Sequence, residues 1–179
     1  MQYIGVFVLM ALASCVFGQE AVKPRPSPLA ITSALYKDTY LKITYSQPHK
    51  RGRDVFGKLV PFGEVWQTGD NEATEMTITR NIIIGTDTLR AGTYSVFTIP
   101  GEANWTIIFN ASVGQWGIYN YNEKKDVLRF EAPVEQLSGI VFEPFTIDIF
   151  PRNDQADISL IWDQTKVSFT VQFLEPEPR

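Results

Sequence analysis

The chain has 179 residues, 20 acidic and 16 basic groups for a net charge of −4, one histidine and one cysteine. That mildly acidic mixture argues against a nucleic-acid partner, which normally demands a basic face, and the length suits one domain. A lone cysteine excludes an intrachain disulfide, and with one histidine it excludes His-rich or Cys-rich zinc sites.

In chain order, "MQYIGVFVLMALASCVFGQE" is an apolar run of secretory-signal length that ends in small residues before Gln19 and Glu20. It is shorter than a membrane span normally needs, and nothing after residue 18 is apolar enough to cross a bilayer. Cleavage after Gly18 is the favoured processing route. The alternative is a lipoprotein box, "LASC" at 12–15, lipidated on Cys15. The predicted location is therefore periplasmic or extracellular, with an outer-membrane lipoprotein as the alternative. Residues 19–35 carry Pro24, Pro26 and Pro28, which favour an extended leader, flexible or lying at an edge. Residues 36–174 form the domain, and 175–179, "EPEPR", form a tail.

Within the domain the pattern is period two. "YLKITYS" alternates Leu41, Ile43 and Tyr45 with polar residues, and "EMTITR" does so with Met76 and Ile78. "TIDIF", "DISLIWD" and "KVSFTVQF" repeat the device toward the C-terminus. Turn residues at 85–87, 90–92, 100–104, 122–126 and 152–154 punctuate about ten short strands. "PVEQLSG" at 133–139 reads as one helical turn. "QWGIYNY" reads as a strand with Trp116, Ile118 and Asn120 on one face and Tyr119 and Tyr121 on the other. The predicted fold is all-β: a single antiparallel β-sandwich, jelly-roll-like, with one long ordered loop over residues 46–75.

That loop concentrates the chemistry. In "HKRGRD", His49 stands beside Lys50, Arg51 and Arg53, and two guanidiniums across Gly52 could clamp a carboxylate, sulfate or phosphate, with His49 as acid or base. The plainer reading is a solvated basic turn pairing with Glu64 or Asp70. In "EVWQTGDNEAT", Trp66, Gln67, Thr68, Asn71 and Glu72 could hydrogen-bond and stack on a polar ligand, against the reading of "TGDN" as a simple turn. Glu72 or Asp70 with His49 is the candidate catalytic pair, and Glu64 with Glu72 a weaker one for a glycosidic bond. Tyr119 and Tyr121 could form a sugar platform, although rings in such a protein mostly fill the core. Asn153, Asp154 and Asp157 lack EF-hand spacing for calcium. No metal and no cofactor is predicted.

The motifs "KRGRDVFGKLVPFGEVWQTGDNEAT", "LRAGTYSVFTIPG", "WTIIFN", "QWGIYNY" and "DVLRF", in this order over residues 36–173, resemble the bacterial domain-of-unknown-function family 2911. The family pattern "GR … FG-LVP-G-VW-TG-NEAT" falls on Gly52, Arg53, Trp66, Thr68, Gly69, Asn71 and Glu72. Gln67 and Asp70 stand where that pattern has Arg and often Ala. The resemblance implies an exported single β domain of bacteria and assigns no activity, cofactor or residue role.

The function expected is binding of a small polar molecule or glycan in the cell envelope through Arg51, Arg53, Trp66, Thr68, Asn71, Glu72, Tyr119 and Tyr121. The alternatives are a hydrolase or lyase working through Glu72 or Asp70 with His49, and a structural or protein-interaction domain in which Arg53, Asn71 and Glu72 form a buried polar network. The sequence leaves the oligomeric state open.

Overall fold

A computed structural model of the chain describes residues 24–175. The expected signal segment, with Cys15, and the last four residues of the tail lie outside the described residues. Eleven antiparallel strands follow one another: β1 (Leu29–Tyr36), β2 (Thr39–Ser46), β3 (Thr74–Ile78), β4 (Ile82–Ile84), β5 (Asp87–Leu89), β6 (Gly92–Ile99), β7 (Asn104–Asn110), β8 (Asp126–Gln136), β9 (Phe142–Arg152), β10 (Gln155–Asp163) and β11 (Thr165–Phe173). Among the described residues the one helical element is a 3-10 turn at Glu123–Lys125, and no helix is long and apolar enough to cross a membrane.

The period-two segments bury the residues their alternation selects. Leu41, Ile43 and Tyr45 of β2, Met76 and Ile78 of β3, and Ile158, Leu160 and Trp162 of β10 all face one core, with Val167, Val171 and Phe173 of β11. β7 departs from alternation: in "WTIIF" Ile107 and Ile108 point to opposite faces and both are buried. A strand covered on both sides reads as a continuous apolar run. Its second face carries a small cluster of Ala73, Phe97 and Ile108 roofed by Val65, Ile99 and Tyr121.

The strands join one hydrogen-bonded ladder in the order β1-β2-β3-β6-β7-β8-β11-β10-β9, with the β4–β5 hairpin attached to β11. β8 turns the corner, pairing with β7 through Asp126–Pro133 and with β11 through Val134–Gln136. Beyond β2 the chain also reaches β9: Phe145 N–H donates to Pro48 O and Lys50 N–H to Glu143 O, both at 2.8 Å. The sheet is thus nearly closed into a barrel. This corrects the expected sandwich, because a strand long enough to pair on both sides of a corner merges what would have been two sheets.

Three local expectations change as well. The stretch "PVEQ" extends β8 instead of making a helical turn, since pairing with β11 supplies its hydrogen bonds. The stretch "QWGIYNY" is a loop, broken at Gly117 with φ +58° and preceded by Gly114 at φ +68°. Residues 29–35 of the expected leader, with Tyr36, form β1, an edge strand hydrogen-bonded to β2.

Candidate functional site

The connection between β2 and β3, residues 47–73, is held by its own hydrogen bonds. Trp66 exchanges both backbone bonds with Thr98 at 2.8 and 2.9 Å, and Gly63 N–H donates to Pro100 O at 2.8 Å. This segment therefore continues the line of β3 alongside β6. Trp66, only 7% exposed, drops its ring into the barrel end. It meets Phe56, Trp105, Phe145 and Trp162 at centroid distances of 5.1 to 6.1 Å, and its Nε1 donates to Gly69 O at 2.8 Å.

The residues around it are mostly pins. Thr68 is fully buried at φ +57°, with its hydroxyl 3.2 Å from Thr98 Oγ1, while the Thr74 hydroxyl donates to Thr68 O at 2.6 Å. A Cβ on Gly69 would lie 2.8 Å from Ser46 O, so only glycine fits this approach. Asn71, at φ +60°, accepts Gly117 N–H on its carbonyl at 2.7 Å.

The basic turn has a defined shape too. Arg51 and Gly52 take φ values of +51° and +71°. Arg53 donates from Nε to Lys50 O at 2.9 Å and from Nη2 to His49 O at 2.7 Å. Arg51 donates from Nη2 to Pro26 O at 3.0 Å, and its backbone N–H to Glu143 Oε1 at 2.6 Å. Lys50 pairs with Asp163 at 2.5 Å. Among the described residues neither Arg51 nor Arg53 forms an ion pair. Both guanidiniums are oriented by backbone carbonyls.

These groups converge on a cleft of about 420 Å³, walled by His49, Arg51 and Arg53, by Glu64, Gln67 and Asp70, and by the edges of Trp66, Trp162 and Ile118. Glu72 lines a second cleft, of about 520 Å³, with Glu75, Ser46, Tyr45 and Gln115. The segment Arg25–Pro28 runs along both as a strap. Arg25 Nη1 donates to the two Glu72 carboxylate oxygens at 2.7 and 2.9 Å, the Ser27 hydroxyl donates to Asp70 Oδ2 at 2.6 Å, and Gln47 N–H donates to Pro28 O at 2.8 Å. Partial burial pushes the Glu72 carboxyl up. Its own backbone N–H, the Arg25 guanidinium and the Ser46 hydroxyl together outweigh that and hold it below the usual carboxylate range.

Of the residues singled out in the sequence, His49, Arg51, Arg53, Asp70 and Trp66 share the first cleft, and Glu72 belongs to the second. Trp66 enters as a core indole with one edge on the cleft, because the barrel end needs filling. Thr68 and Asn71 fix the backbone and line neither cleft. Tyr119 is 84% exposed and lines neither cleft either. Tyr121 packs edge-on against Phe97 at 4.8 Å and donates to Asp126 Oδ2 at 2.8 Å. The imagined network of Arg53, Asn71 and Glu72 is not formed: Arg53 is anchored on carbonyls and Glu72 on Arg25. Asp157 accepts from Thr170 and Arg152. Sequence reasoning missed Arg25, Ser27, Glu75 and Gln115. The signal for the first two was there in "PRPSP", where prolines hold a short segment extended.

A comparison with family models matches residues 27–171 to the family described as Protein of unknown function (DUF2911). No curated protein and no solved structure matches the chain.

Proposed function

We propose a binding function for this chain, which belongs to the DUF2911 family: an exported, non-catalytic module of the cell envelope whose first cleft takes a small polar anion such as a sugar acid or carboxylate. The single observation that carries this reading is the pair of guanidiniums, Arg51 and Arg53, aimed by backbone carbonyls and left without a carboxylate partner in a cleft that also offers indole edges. A fixed guanidinium presents paired N–H donors to a carboxylate at little further entropic cost. The apolar edges of Trp66 and Trp162 would take the flat face of a sugar ring, while Gln67 and His49 supply further hydrogen bonds.

Binding is favoured over acid–base catalysis by how the carboxylates are engaged. Asp70 accepts from Ser27 and Glu72 from Arg25, and Glu72 and His49 line different clefts.

The test is calorimetric titration with glucuronate, a dicarboxylate, sulfate and a neutral disaccharide. One anion should bind selectively, raising the melting temperature in proportion to the logarithm of its concentration. Arg51→Ala and Arg53→Ala should each weaken it by about tenfold or more. Equal binding of the neutral sugar, or affinity unchanged in both variants, would sink the reading.

A further inference from the structure

The second cleft is more acidic than the first. Its walls carry two carboxylates, Glu72 and Glu75, and the hydroxyls of Thr44 and Ser46. Its lining includes a single cationic side chain, Arg25, from the strap. Gln115 also lines it. This residue is only 6% exposed, its Nε2 is anchored on Ser112 O at 2.8 Å, and its Oε1 has no hydrogen-bond partner among the described residues. A buried acceptor without a donor is costly and calls for one.

Arg25 leaves that demand unmet. One nitrogen, Nη1, is shared between both oxygens of Glu72, while Gln115 Oε1 stays unpartnered. The Arg25 side chain is itself 53% exposed, and an ion pair at such a surface is weakly held. Glu75 contributes one oxygen to Gly114 N–H at 2.7 Å, which fixes its carboxylate beside the opening. Carboxylate and amide oxygens are acceptors, and an N–H donor of a guanidinium or ammonium group matches them.

We infer that this cleft is a recognition site for the guanidinium or primary ammonium group of a small organic cation, and that Arg25 is its internal occupant, displaced when that cation binds. The inference rests on Glu72, Glu75, Gln115 and Arg25, none of which lines the anion cleft, so either site can fail without the other. The cation donates to Glu72 and, once Arg25 has withdrawn from the cleft wall, to Gln115 Oε1, which is closed to solvent while Arg25 is in place. The strap then loses its Arg25 anchor and keeps those of Ser27 and Pro28.

The probe is agmatine, titrated against the full chain by calorimetry, with potassium chloride at matched ionic strength as the control. Arg25→Ala should bind agmatine about threefold to fivefold more tightly than the wild type, since the weakly held internal competitor is gone. The double variant R25A/E72Q should lose that gain, and potassium chloride should do nothing. Equal agmatine affinity in the wild type and R25A, undetectable binding to a folded R25A, or undiminished binding to the double variant overturns the inference. Should R25A fail to fold, the wild type decides: saturating agmatine must shift the Arg25 Nε–H and Glu72 carboxyl resonances in NMR spectra, and unmoved resonances overturn it.

Discussion

Glu72 is a carboxylate whose folded pKa lies below its ordinary value, so its protonation is linked to stability in one direction. Its contribution is present above the ordinary value of 4.5 and is lost as pH falls through the lower folded value. Arg25→Ala should therefore cost about 0–1 kcal/mol at neutral pH, the range for an exposed ion pair. The difference between variant and wild type should vanish in acid below the folded value, as read by urea melts across pH. Tyr121 titrates the other way. Burial, and then its hydrogen bond to the Asp126 carboxylate, push its phenol well above the ordinary value of 10.0. Its contribution is complete below 10.0 and is lost as pH rises through the folded value. Tyr121→Phe, which leaves Oδ2 of the largely buried Asp126 to its 3.2 Å hydrogen bond from Arg129, should cost about 1 kcal/mol and flatten the alkaline fall in stability. The pairing of Arg25 with Glu72 was not legible from sequence, because they are 47 positions apart and local pattern says nothing about such a distance.

At the scale of elements, the connection of residues 47–73 behaves as part of the barrel. Trp66→Ala should cost about 3–5 kcal/mol by opening a cavity among four aromatic neighbours, measured as a denaturation midpoint shifted at unchanged slope. Gly69→Ala should cost about 1–3 kcal/mol, since its Cβ meets a backbone oxygen that cannot swing aside. A near-neutral Gly69→Ala would mean that the approach to Ser46 is looser than 2.8 Å. The long irregular stretch was recognisable as ordered because it pairs Trp and Val with turn residues at close intervals. Its direction was not: Val65 packs on the outer cluster and Trp66 on the inner core. The reading of "QWGIYNY" as a strand failed at Gly117 and at Gly114 just before the stretch. Period two is also satisfied by chance over seven residues, and a positive φ at Gly114 and Gly117 ends any extended run.

For the whole molecule, the consequential contact is the seam between the end of β2 and the start of β9, where His49 pairs with Pro144. It brings His49 and the basic turn to the barrel mouth, beside Trp162 of β10, whose Nε1 donates to Glu143 O at 3.1 Å. If the ladder closes there in solution, the amides of Lys50 and Phe145 exchange hydrogen only through global unfolding, as slowly as those of β10. Rapid exchange at both would return an open sheet.

The sequence by itself determined the all-β class, the inward residues of β2, β3, β10 and β11, and the stretch in which the basic turn and the carboxylates lie. Each of these follows from side chains alternating across an extended backbone, a property of neighbouring residues. Tertiary structure alone decided that the ladder bends through β8 into a near barrel, that Tyr121 is a covering residue, and that Asp70 and Glu72 face separate clefts under a strap. Those outcomes depend on which distant segments meet, and the hydrogen bonds and burial that select the meeting are made only when the chain has closed on itself.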